Sequence, residues 1–144
     1  MRAVLLVIAA AGAVLVASPA YAAPTADLGI TRLSIAEKSN GMIVVTAVAE
    51  NHGPGAGEPA IQVTVNGTIK KVTCWYGSNP PRRWSDGDTC EVYPSTPGIK
   101  LHEQVKLTAP VGSTVFATAR IYALDDSVDP NPDNDSAVRS HRVR

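Results

Sequence analysis

Through most of this chain, hydrophobic residues recur at alternate positions in short stretches, and turn residues separate the stretches. That period of two is the signature of strands with one face buried. Leu28 to Ile35 reads as a first strand with a bulge, because Leu28/Ile30 and Leu33/Ile35 fall on opposite phases. Ser39-Asn40-Gly41 turns the chain, and Met42 to Glu50, the most apolar stretch, predicts a central strand. Three glycines and a proline in Asn51–Gly57 break it. Ile61, Val63 and Val65 then alternate with Gln62 and Thr64. Asn66-Gly67 predicts the positive φ of a type I′ hairpin, with Thr68 to Trp75 returning as the partner strand. After a loop from Tyr76 to Asp88 come a short strand at Thr89–Tyr93, another at Leu101–Thr108, and a second central strand at Thr114–Leu124. A proline-broken acidic segment, Asp125 to Asp135, leads to Ser136–Val143. Arg139, His141, Arg142 and Arg144 there suit an edge strand that charge keeps from pairing with other chains. No helix of useful length is signalled. Seven to eight strands at this spacing predict an all-β, immunoglobulin-like β-sandwich.

The N-terminus follows another pattern. Met1-Arg2 precedes an apolar run from Ala3 to Ala17 and the small-residue site Ala20-Tyr21-Ala22. A positive start, an apolar centre and a small-x-small site form an export signal. The run falls short of the roughly 20 residues a membrane span needs. We place cleavage after Ala22, so residues 1–22 are a signal peptide and residues 23–144 form one domain. An uncleaved membrane anchor is the alternative. No cysteine follows the run to take a lipid, and no sorting tail ends the chain, so the expected product is secreted, free or loosely held at the cell wall, with no stable membrane insertion.

Composition refines this picture. Thirteen basic residues balance thirteen acidic ones, which gives no charge-based case for nucleic acid. Cys74 and Cys90 are the only cysteines. An exported chain with an even number should pair them, closing a loop of about 15 residues worth roughly 3 kcal/mol. Two thiols alone do not make a zinc site.

Several segments also match a known family. Ala26-Asp27-Leu28-Gly29-Ile30 is similar to its opening strand, and Glu50-Asn51-His52-Gly53-Pro54 to its "N-x-G-P" turn. Thr89-Cys90 is similar to its "T-C" strand, and Asp129-Pro130-Asn131-Pro132-Asp133-Asn134-Asp135-Ser136-Ala137 to its closing segment. On these motifs the chain resembles the bacterial repeat domain catalogued as domain of unknown function eleven, and more loosely the cell-adhesion domain called CARDB. The resemblance implies an immunoglobulin-like sandwich on an exported bacterial protein, used as a stalk or adhesion module, with no catalytic residues. The chain departs from the family in being a single copy without a surface anchor. It also carries a Trp- and Arg-rich insertion between its cysteines.

That insertion is the leading candidate site. Trp75, Tyr76, Arg82, Arg83 and Trp84 are residue types that dominate recognition hot spots, and two prolines with a disulfide would pre-order them. A flat aromatic stacks on sugar rings, and Arg reads carboxylates. The competing reading packs Trp75 into the sandwich and folds Trp84 back as a lid. The second candidate is the acidic segment. Its Asp129-x-Asn131-x-Asp133 spacing starts like a calcium loop but lacks the later glycine and glutamate. The competing reading is a turn whose Asp and Asn side chains cap their own backbone. His52, His102 and His141 are scattered, and no nucleophile elbow, carboxylate pair or HExxH is present. We therefore expect no enzyme and no cofactor. The partner expected is a protein or glycan outside the cell. Asn66-Gly67-Thr68 and Asn134-Asp135-Ser136 match the glycosylation pattern, and neither is expected to be modified.

Overall fold

The computed structural model describes residues 25–77, 89–91 and 95–144; the expected signal peptide, residues 1–22, lies outside them. Eight strands follow in order: β1 Leu28–Glu37, β2 Ile43–Asn51, β3 Pro59–Val65, β4 Thr68–Tyr76, β5 Thr89–Glu91, β6 Lys100–Thr108, β7 Thr114–Ala123 and β8 Ser136–Arg142. The only helical element among the described residues is a 3₁₀ turn at Pro132–Asn134. One sheet has the order β1-β2-β6-β4 and the other β5-β3-β7-β8, with all neighbours antiparallel. Leaving β5 aside, the first, second, sixth and fourth strands face the third, seventh and eighth. That is the strand order of a constant-type immunoglobulin domain. The short β5 is an addition on the free flank of β3.

The alternation read from sequence fixes the core. Ile43, Val45, Ala47 and Ala49 of β2 and Leu101, Val105 and Leu107 of β6 point inward from one sheet. Ile61 and Val63 of β3 meet them from the other, with Val115, Ala117, Ala119 and Ile121 of β7. The β1 register slips between Ile30 and Arg32, so the two hydrophobic phases seen in the sequence are joined by a bulge, as expected. β2 and β7 are central and β8 is an edge strand, as their apolar and charged compositions indicate.

One expectation is corrected. Asn66-Gly67 is not a hairpin turn, because β3 and β4 lie in different sheets, and neither residue has a positive φ. The dipeptide carries the chain across the sandwich. Asn66 donates from Nδ2 to the Thr114 carbonyl (3.0 Å) and accepts from the Phe116 amide, which stitches the crossing to β7. A side chain at Gly67 would meet Leu107 Cδ1, which would have to shift, and would lie close to the Thr108 carbonyl, so glycine eases the close approach.

Three of the segments that carry the family resemblance converge at one end of the molecule. The Ala26 amide donates to the Val128 carbonyl, the His52 amide to the Asp27 carbonyl and the Gly55 amide to the Thr25 carbonyl. Asp129 Oδ2 accepts from the Leu28 amide at 2.9 Å, and Asn134 Nδ2 donates to Asp27 Oδ1 at 3.2 Å. Gly53 is buried with the backbone of Thr25–Asp27 where a Cβ would sit. Buried Asn51 donates to the Gly55 and Ser95 carbonyls and accepts from the Gly53 amide. These motifs tie the N-terminal segment, the β2–β3 loop and the β7–β8 connection together, which satisfies backbone groups that have no ladder to join.

Candidate functional site

The disulfide pair expected from the cysteine count is present: Cys74 and Cys90 are bonded, with Cα atoms 5.8 Å apart and a sequence separation of 16. Cys74 lies on β4, the last strand of one sheet, and Cys90 on β5, the last strand of the other. The bond thus closes the sandwich along one long edge, and both sulfur-bearing residues are buried. It also fixes the two ends of the Trp- and Arg-containing loop. Of the residues assigned to that site, Arg82, Arg83 and Trp84 lie outside the described residues. Trp75 and Tyr76 are the last residues of β4.

Trp75 does not pack between the sheets. Cys74 points inward opposite the fully buried Glu103, so its neighbour Trp75 faces outward opposite His102. The indole stacks flat on the imidazole, with centroids 4.8 Å apart and planes 5° from parallel. Such an offset pair adds to what area burial alone gives. Burial holds the His102 imidazole below its ordinary range. Its hydrogen bond to the Gly77 backbone opposes that lowering, and the nearby Lys100 ammonium adds to it. The Gly77 amide donates to the Lys100 carbonyl at 2.8 Å, which secures the strand end beneath the stack. Tyr76 is 46% exposed beside it.

A groove of about 450 Å³ runs along this stack, lined by Trp75, Gly77, Gly98, Ile99, Lys100 and His102. The Lys100 ammonium sits 3.8 Å from Glu50 and is largely exposed. Lys100 and Ile99 were not singled out in the sequence, and His102 stood there only as one of three scattered histidines. Their places beside Trp75 depend on the β4–β6 register, which joins residues far apart in the chain. What the sequence did offer was the outward phase of β6, in which His102, Gln104 and Lys106 alternate with buried partners.

The acidic segment joins β7 to β8. Asp129 accepts from the Leu28 and Asn131 amides, and Asp125 from the Glu58 and Ser127 amides and the Ser127 hydroxyl. Its carboxylates cap backbone, as the turn reading expects. Among the described residues no group of three or more His, Cys, Asp or Glu side chains is arranged to hold a metal ion. Asp135, desolvated and close to Asp129 and Asp27, has its carboxyl pushed up to about 6, with Arg120 opposing the shift. His52 is exposed in the β2–β3 loop. His141 Nε2 lies 3.1 Å from Glu37 across the other edge of the sandwich. The three histidines are separate in space as in sequence.

No family model and no curated protein sequence matches the chain. Among solved structures it is similar to a yeast GGA1 GAE domain, at 15% identity and a TM-score of 0.29, over 80% of this chain and 91% of that one. At that level the likeness carries no argument. No helix among the described residues is long and apolar enough to cross a membrane.

Proposed function

We propose that this protein is an exported, non-catalytic binding module that engages a protein or glycan outside the cell through its disulfide-closed Trp/Arg loop. The observation that carries the reading is Trp75. A large aromatic is held on the outside of the sheet, in one orientation, at the root of a loop whose ends a disulfide fixes. Rigid aromatic anchors bind with little loss of freedom. The signal-like N-terminus supports export, and a disulfide is a bond that oxidising compartments preserve. The motif resemblance to exported bacterial sandwich domains supports the same class.

The test is binding of the oxidised, purified protein to arrayed glycans and extracellular proteins, repeated with W75A, R83A and W84A. Loss of the strongest signal by tenfold or more in W84A and R83A is the expected result, the scale of a hot-spot contact. Wild-type binding by both variants would remove the loop from the site. A second reading, a structural part of the cell envelope that pairs with other copies, is favoured by one observation. Phe116 (54% exposed) and Val138 (66% exposed) stand on the outer face of β7 and β8. Sedimentation at rising concentration separates the two, since the second requires self-association that F116S and V138S abolish.

A further inference from the structure

The outer face of the sheet that carries Trp75 holds more positive than negative charge, with Lys100 paired to Glu50 at 3.8 Å. Arg32 of β1, Lys71 of β4, and Lys100 and Lys106 of β6 point outward from it, and Glu50 of β2 is the one carboxylate among the outward positions of its strands. In a chain with equal numbers of acidic and basic residues, this is a local excess of cations. Lys71 and Lys106 stand directly opposite each other. Like charges at paired positions weaken a sheet. The β4 register also slips between Ile69 and Lys71, and a bulge re-aims nearby side chains. Packing gives no reason for this lysine pair, whereas an anion lying across both ammonium groups does.

From that pair the strip continues past Thr73, whose side chain is buried, and half-buried Gln104 to the Trp75–His102 stack and Lys100. Lys71 and Trp75 are four residues apart on one strand, about 13 Å at strand rise. His102 covers one face of the indole, and on its other side the sheet ends, because β4 is the edge strand.

We infer that the outer face of β4 and β6 is a binding strip for an acidic polysaccharide, with a sugar ring stacked on Trp75 and carboxylates of the chain on Lys71, Lys106 and Lys100. This rests on the reading of Trp75 as a binding residue and extends it from the loop onto the sheet. A stacking aromatic flanked by ammonium groups fits rings that carry negative charge at intervals. A half-buried Trp75 does not project as a membrane anchor would.

The test is isothermal titration of the oxidised, exported protein with polygalacturonate. Dextran, oligothymidylate and phosphatidylglycerol vesicles serve as the neutral-glycan, nucleic-acid and membrane comparisons. The expected result is binding to polygalacturonate that fades as salt rises from about 0.01 to 1 M, with none to dextran. K71Q/K106Q should weaken it about tenfold while leaving the thermal midpoint equal or higher, because a repulsion has been removed. Three results overturn the proposal: no polygalacturonate binding, an unchanged affinity in K71Q/K106Q, or tighter binding of oligothymidylate or vesicles. The two readings fail separately. If W84A and R83A abolish binding to an arrayed ligand while K71Q/K106Q does not, the loop stands and the strip falls. If K71Q/K106Q and W75A weaken polygalacturonate binding while W84A and R83A do nothing to any ligand, the strip stands and the loop falls.

Discussion

Along the β4/β5 edge the two sheets are joined at both ends by covalent links, whereas along the β1/β8 edge they are joined at both ends by carboxylates. On the first edge the peptide crossing at Asn66-Gly67 holds one end of β4, and the Cys74–Cys90 bond holds the other. On the second edge, Asp129 and Asp27 fasten the start of β1 to the β7–β8 connection. At its far end Glu37 accepts from the Arg144 amide and pairs with His141. A covalent edge keeps its geometry whatever the proton concentration, which fits the binding role proposed for that edge. An edge closed by carboxylates answers to pH. The candidate site lies on the first edge.

The largest expected effect breaks the covalent edge. C74S/C90S should lose about 3 kcal/mol, because a closed loop of this length no longer restricts the unfolded chain. At this size that is a fall of roughly 10 °C in the thermal midpoint, read by calorimetry with and without reductant. A wild-type protein whose midpoint ignores reductant, together with an unaffected double variant, would mean the edge is held by packing alone. On the carboxylate edge, D129A should cost about 1–2 kcal/mol. It removes a charged acceptor from the Leu28 and Asn131 amides, and part of the loss is offset by relief of Asp135. Urea denaturation measures it, and hydrogen exchange should place the loss at the Leu28 amide.

This contrast was only half legible in the sequence. The cysteine pair, the β1 bulge and the charged β8 edge follow from residue type and phase, which are local properties. Asn66-Gly67 misled because its hairpin preference is also local, while the partner of β4 is β6, more than thirty residues on. The same non-local register hid His102 from its place beneath Trp75. It also hid the closing motif's role: Asp129 reads as a turn former, and only the fold brings the Leu28 amide, 101 residues away, to its carboxylate. Glu103 holds a core position that its alternation with Leu101 and Val105 pointed to, although its charge argued otherwise.

A smaller effect comes from Asp135, and it gives the carboxylate edge its sign. With its folded value raised to about 6 from 3.8, the folded state holds the proton more tightly than the unfolded one. The stabilisation is complete below 3.8 and is lost as pH rises through about 6. D135N keeps the neutral form at every pH. It should therefore be more stable than wild type above pH 6 and equal to it below about 4, in thermal midpoints measured across that range. An advantage of D135N that did not vary with pH would mean that Asp129 and Asp27 do not crowd this carboxyl.

The smallest effect is at the other end of the same edge, and its pH dependence has the opposite sign. The hydrogen bond from His141, and then the Arg144 amide, hold the Glu37 carboxyl below its usual 4.5. Its contribution is present above 4.5 and fades as pH falls through the lower folded value. E37Q keeps the shape but loses the charge, so it should lower the midpoint slightly at neutral pH and converge on wild type in acid. The two ends of β1 then move in opposite directions on acidification, with the Asp135 end tightening while the Glu37 end loosens. Hydrogen exchange at Leu28 and at Arg144, compared between pH 7 and pH 4, separates them in one experiment. Parallel changes at both amides would mean that the edge titrates as a unit and that its two clasps are not independent.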